Sequence, residues 1–313
     1  LTFCCNCDIL IKKIDKKCIL LFKNGGIAMV RIFSDSTCDL SKELCERYGI
    51  TLLPLYIILG ENDYRDGENI TPKEIFAWSD KNKTTPKTSA PSVEDIEARM
   101  KPVLDSGDDI IVFSISSEMS NSGNVICLAA QALGAEDRVH YIDSRNLSTG
   151  IGHLVIEAAE MAMMNTPADE IVAEMNRLIP KVRASFVVDT LTYLYRGGRC
   201  SGLAAMAGSV LRLHPKIAVK DGAMSAGKKY RGKYSSIIVN YARDMEPELL
   251  KAKPDRVFVT HTVPDEDRTS VEQVCDYLKS LHYFKEVLET KAGGVVSSHC
   301  GPGTLGVLYI EGD

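Results

Sequence analysis

The sequence predicts an α/β protein of two domains. From Met29 onward, short apolar runs alternate with stretches of helical length, the pattern of strands separated by helices. Several of those stretches open on capping signatures, of which Thr71-Pro72-Lys73-Glu74 is the fullest. The length, 313 residues, exceeds one average domain and suits two. An N-terminal α/β domain with a parallel sheet is expected over 29–165. A C-terminal α/β domain, less regular in pattern, is expected over 166–313.

The elements follow in order. Val30 to Phe33 reads as a strand ending in polar Ser34-Asp35-Ser36. Asp39 is placed to cap a helix running to Tyr48, with Gly49 just past its end. Ile50 to Leu59 is strand-like, and Pro54 inside it predicts an edge position or a bend. At the next helix Thr71 caps, Pro72 fits the first turn and Glu74 reaches back. Ser92-Val93-Glu94-Asp95 starts another helix, ending near Ser106-Gly107. Ile110 to Ile115 reads as a buried strand, followed by polar Ser116 to Gly123 and a helix through Leu133. Val139 to Ile142 is a strand, and a long amphipathic helix runs from there to about Asn165.

Thr166-Pro167-Ala168-Asp169 opens the next helix. Phe186 to Val188 is a strand, and Gly197-Gly198 and Gly202 punctuate a short helical region. Ile217 to Ala226 reads as a hairpin turning at Asp221-Gly222. Arg256 to Thr260 and Gly306 to Ile310 are further strands.

Composition removes several function classes. The formal net charge of -5 gives no basic footprint for nucleic acid. No apolar run approaches the roughly 20 residues of a membrane span, so any membrane contact would be transient and at the surface. Residues 1–28 stand apart, with five lysines and four of the ten cysteines. Their apolar pieces are broken by charge and do not make a secretory signal. Gly25-Gly26 just ahead of Met29 suits the coding of a purine-rich ribosome-binding sequence. Residues 1–28 are therefore expected to be translated leader, with Met29 as the native start. The other six cysteines are single and scattered, without paired metal-ligand spacing. Reduced thiols in cytoplasm, no metal and no cofactor are the expectation.

Four polar spots are candidates for chemistry. Thr88-Ser89-Ala90-Pro91-Ser92 is a hydroxyl-rich loop before a helix N-terminus, suited to an anion or equally a capped, solvated loop. Ser116 to Gly123 lies between a buried strand and a helix, where α/β sheets bind ligands. Gly123 there admits a close approach to backbone N–H, although a plain N-cap has the same composition. Arg196-Gly197-Gly198-Arg199 sets two arginines about a turn, as an anion or partner contact or as a solvated surface. His299 precedes Gly301-Pro302-Gly303, a rigid turn able to hold an imidazole in one orientation, as donor, base or structural group. Serines beside an oriented histidine also raise a serine-type lipid hydrolase using Ser122 and His299. The Gly-x-Ser-x-Gly elbow is missing, however. A sensor of another small anionic lipid is a further alternative.

Taken in order, these pieces resemble the DegV family, the bacterial fatty-acid-binding proteins of FakB type. The resemblance runs from Ser34-Asp35-Ser36-Thr37 and Asp39-Leu40 through Pro54-Leu55, Thr88 to Ser92, Ser116-Ser117 and Ser122-Gly123. It continues through Asp143-Ser144, Tyr193-Leu194, Arg196 to Arg199 and His299 to Gly303. It implies a parallel-sheet N-terminal domain, a mixed-sheet C-terminal domain and a long-chain fatty acid buried between them. It implies that Thr88, Ser89, Ser122, Gly123 and His299 surround the carboxylate, with Arg196 and Arg199 near it or near a partner. That partner would be a separate ATP-dependent fatty acid kinase, related to dihydroxyacetone kinases. It would phosphorylate the bound acid for phospholipid synthesis, so this chain would bind and not catalyse. Three positions depart from the family pattern: Ala90 for a common Gln, Asn124 for a common Thr, and Leu213-His214-Pro215 for Ile-Lys-Pro. None removes a carboxylate donor; Ala90 and Asn124 bear on acyl-chain preference.

Overall fold

A computed structural model describes residues 29–201 and 213–313. Residues 1–28 and Gly202 lie outside the described residues. The first half contains β1 (Val30–Asp35), α1 (Lys42–Tyr48), β2 (Thr51–Leu53), β3 (Tyr56–Leu59), β4 (Asn62–Arg65), α2 (Pro72–Asn82), β5 (Lys87–Ser89) and α3 (Val93–Asp105). It continues with β6 (Asp109–Ser114), α4 (Ser122–Ala132), β7 (Val139–Asp143) and α5 (Thr149–Met163). The second half contains α6 (Ala168–Leu178), β8 (Val182–Val187), α7 (Thr192–Gly197), β9 (Cys200–Ser201), β10 (Leu213–Lys220) and β11 (Ala223–Arg231). It ends with α8 (Tyr234–Asp244), α9 (Glu246–Leu249), β12 (Arg256–His261), α10 (Thr269–Ser280), β13 (Glu286–Lys291), α11 (Gly294–Cys300) and β14 (Leu305–Ile310).

The described strands form three sheets. The first, ordered β2-β1-β6-β7, is parallel throughout. The second, ordered β13-β12-β14-β8-β10-β11-β9, is mixed, with β12–β13 and β11–β9 parallel and the other pairs antiparallel. The third is a small antiparallel sheet, β4-β3-β5. The expected fold class, a parallel-sheet α/β half followed by a mixed-sheet α/β half, is the one observed.

Local chemistry explains the elements that position the site. Thr71 and Glu74 form a full capping box, and Ser92 caps α3 by accepting from the Asp95 N–H. The hairpin turns at Asp221-Gly222, both with positive φ, and its strands extend beyond the predicted span. At Pro54 the predicted single strand divides: β2 pairs with β1, and β3 joins the small sheet.

Two expectations are corrected. The cap of α1 is Ser41, which accepts from the Leu44 N–H. Asp39 instead adopts a left-handed conformation and turns its carboxylate inward. The helix expected to be amphipathic, α5, is buried almost all round, from Thr149 through Ile156 and at Ala158, Ala159 and Ala162. It lies between sheets, touching β1 on one side and β14 and β8 on the other. One apolar cluster therefore runs through both halves, from Ile32 and Phe113 past Leu154 and Val155 to Phe258 and Leu308. At the helix's polar edge, the nearly buried Arg256 pairs with Glu157 (2.7 Å) and Glu160, fixing α5 to β12.

Candidate functional site

Distant parts of the chain bring polar groups to one cavity of about 240 Å³. Thr88 and Ser89 end β5, an edge strand of the small sheet. The loop after β6 contributes Ser120 and Asn121 at the start of α4, and α11 contributes His299. Arg199 enters from the turn after α7. Leu55, Ile115, Met119, Leu147, Val295 and Val296 supply apolar wall. A smaller recess shares Leu147, Val296 and Cys300 and reaches Phe186 and Leu308 between the sheets. The polar groups thus form one end of an apolar space between the two halves.

Thr88 Oγ1 lies 2.8 Å from His299 Nε2, a contact across 211 residues of sequence. Burial, and then the Arg199 guanidinium, push the imidazole down to about 4, so the ring is neutral at pH 7. When Nε2 carries the proton it donates to Thr88 Oγ1, and the Thr88 hydroxyl hydrogen is free to serve the cavity. Nδ1 of His299 is buried with no hydrogen-bond partner among the described residues. It faces Gly197, where any Cβ would stand 2.6 Å from it, so only glycine lets α7 pack this closely.

Ser122 and Gly123 lie deeper. Ser122 Oγ donates to Asp35 Oδ2 at 3.2 Å. Gly123 faces Tyr141, whose Oη would be 1.9 Å from an added Cβ. Their neighbours Ser120 and Asn121 are the residues that reach the cavity. The two arginines also separate. Arg199 lines the cavity and donates to the Gly197 carbonyl at 2.6 Å. Arg196 is exposed and donates to the Lys83 carbonyl at 3.4 Å.

Three buried carboxylates lie behind the walls, and none of them was read from sequence as part of the site. Asp35 accepts from Thr37, from the Ile115 N–H at 2.9 Å and from Ser122, and burial raises it to about 6. Asp39 accepts from Ser148 Oγ and the Gly293 N–H, and burial raises it to about 8. Asp66 accepts from Ser36 Oγ and the Gly294 N–H, and burial raises it as well. The only signal was the dense polar run Ser34 to Thr37 after a buried strand; Asp66 had none. Among the described residues no group of three or more His, Cys, Asp or Glu is placed to hold a metal ion. None of their helices is long and apolar enough to cross a membrane.

An apolar cavity with a polar end, set between a parallel and a mixed α/β half, defines a small-molecule-binding architecture. Residues 29–312 match the sequence family described as an uncharacterised protein, DegV family. The chain belongs to the DegV family. A DegV domain-containing protein of Deinococcus radiodurans is 30% identical over 279 residues, covering 89% of this chain and 97% of that protein. A DegV family protein from Thermus thermophilus, solved for its fatty acid binding, superposes with a TM-score of 0.82. It is 30% identical, covering 90% of this chain and 99% of its own. A stearic acid-binding protein from Eubacterium ventriosum gives a TM-score of 0.77 at 28% identity, covering 90% and 98%.

Proposed function

We propose that this protein is a fatty-acid carrier. It buries one long-chain fatty acid between domains spanning 29–165 and 166–313, and presents the carboxylate to a separate fatty acid kinase. The observation that carries the reading is the Thr88–His299 contact at the polar end of an apolar cavity. The fatty acids bound by the relatives from Thermus thermophilus and Eubacterium ventriosum support it.

A carboxylate leaving water needs several donors. Thr88, Ser89 and His299 offer hydroxyl and imidazole groups, and Arg199 adds positive charge from an exposed position. Ser122 and Gly123 contribute through the start of α4; Ser122 Oγ joins the carboxylate only by leaving Asp35. Neutral donors leave the carboxylate oxygen nucleophilic toward a phosphoryl group. The acyl tail adds about 0.8 kcal/mol per buried CH₂, on the order of 10 kcal/mol for a long chain before ordering costs. Hydrolysis would need Ser122 and His299 to share a hydrogen bond. Among the described bonds Ser122 goes to Asp35 and His299 to Thr88.

Native mass spectrometry of freshly purified protein tests the binding step. A co-purified fatty-acid mass is expected. An empty protein that gains no thermal stability from added fatty acids would refute it. Incubation with ATP and a dihydroxyacetone-kinase-like fatty acid kinase tests the presentation step, with acyl phosphate formed only when both proteins are present.

A further inference from the structure

The helix that carries His299 belongs to the C-terminal half but is held at both ends by the N-terminal half. It connects β13 to β14 of the mixed sheet. Its last turn meets Thr88 through His299 Nε2. Its first turn meets two buried aspartates. Asp39 accepts the Gly293 N–H at 2.7 Å, and Asp66 accepts the Gly294 N–H at 2.6 Å and that of Val295. First-turn N–H groups have no partner inside their own helix. Gly293, at the N-cap position, has no side chain with which to satisfy them. The caps therefore come from 254 and 228 positions away in sequence.

The surroundings tighten this attachment. Ser148 Oγ orients Asp39 and Ser36 Oγ orients Asp66. No cation pairs with either carboxylate among the described residues, and burial raises the proton affinity of both. An amide oxygen in the same place would accept the same N–H, so what each of these side chains supplies to α11 is a fixed acceptor. Glycine at 294 lets the helix press in: a Cβ there would be 2.5 Å from Ile57 Cδ1 and 3.0 Å from Asp66 Oδ1. Val295 then packs with Leu55, Ile57 and Ile75 of the N-terminal half. From the clamp to His299 is about one and a half turns of helix. Over so short a distance, a shift at the start of α11 moves the imidazole.

We infer that Asp39 and Asp66 are positioning residues of the ligand site, setting His299 against Thr88 from across the two halves. This rests on the fatty-acid reading above. The test compares Asp39→Ala and Asp66→Ala with Asp39→Asn and Asp66→Asn, whose amide oxygen still accepts an N–H. Affinity is measured for palmitic acid and for its methyl ester, and the His299 ring is titrated by NMR in ligand-free protein. The alanine variants should lose about tenfold in affinity for the acid and less than about twofold for the ester, with the asparagine variants recovering most of the loss. The His299 titration should move toward that of a free imidazole in the alanine variants. Equal losses for acid and ester with an unmoved titration would overturn the inference. Should the alanine variants fail to fold, Ser148→Ala and Ser36→Ala remove the donors that orient the carboxylates. A shifted His299 titration in those supports positioning, and an unshifted one overturns it. If the wild-type protein binds neither acid nor ester, the fatty-acid reading falls, and the ring titration alone decides the positioning role.

Discussion

Thr88 and His299 meet across the two halves of the chain, whereas Ser122 and Gly123 are engaged within one half. The first pair lines the cavity, and the side-chain hydrogen bond within it joins a hydroxyl to a neutral imidazole. The second pair is turned inward, Ser122 to a carboxylate and Gly123 to the Tyr141 ring. A hydroxyl that donates to a buried carboxylate is held by a charge-assisted bond, while one that faces an imidazole can be redirected by a ligand. The outer pair is thus suited to answer a ligand and the inner pair to hold the wall behind it.

The largest expected effect breaks the inner side. Asp35→Ala strips buried acceptors from Thr37, Ile115 and Ser122 together. It should lower stability by about 3 kcal/mol, against about 1 kcal/mol for Thr88→Ala, measured by urea unfolding with an unchanged m-value. Equal losses would erase the distinction between the two sides.

Ligand binding should show the reverse order. His299→Ala is expected to weaken fatty-acid affinity about tenfold, and Ser122→Ala less than about threefold. Isothermal titration with one fatty acid measures both. A larger loss at Ser122 would mean that its hydroxyl leaves Asp35 for the ligand.

How much of this was legible beforehand depended on distance along the chain. The Thr71 capping box and the Asp221-Gly222 turn were readable because donor and acceptor lie within a few residues. Asp39 was misread as a helix cap because Ser41 does that work, and the partner of Asp39 is Gly293. The burial of α5 was hidden because its charged edge, Glu157 and Glu160, looks like a solvated face until Arg256 is placed against it. Thr88, Ser89 and His299 were put forward through the order of weak motifs, and the contact of Thr88 with His299 is a tertiary fact that no local pattern encodes. Asp66 sits in an ordinary Asp-Gly turn and left no trace.

His299 and the Asp39 carboxyl that helps to place its helix should also answer pH with opposite sign. Burial, and then Arg199, lower His299 from 6.5 to about 4. Its contribution is fully present above 6.5 and is lost as pH falls through 4. Burial raises Asp39 from 3.8 to about 8, so its contribution is fully present below 3.8 and is lost as pH rises through 8. The stability gap between wild type and His299→Gln should shrink on acidification between those limits. The gap between wild type and Asp39→Asn should shrink on alkalinisation between its own. Urea midpoints across pH 4 to 8 measure both, and gaps that stay constant with pH would show that neither group titrates differently on folding.

The smallest effect separates the two arginines. The Arg199 guanidinium is the second cause, after burial, of the depressed His299 imidazole. Arg199→Ala should therefore let the His299 titration rise part of the way from about 4 toward 6.5, with burial retaining the rest. Arg196 is exposed and among the described residues donates to the Lys83 carbonyl, so Arg196→Ala should leave that titration in place and stability within about 0.5 kcal/mol. NMR titration of the His299 ring in the three proteins decides it. A shift from Arg196→Ala as large as that from Arg199→Ala would mean that the whole Gly197-Gly198 turn, and not one guanidinium, sets the field at the cavity.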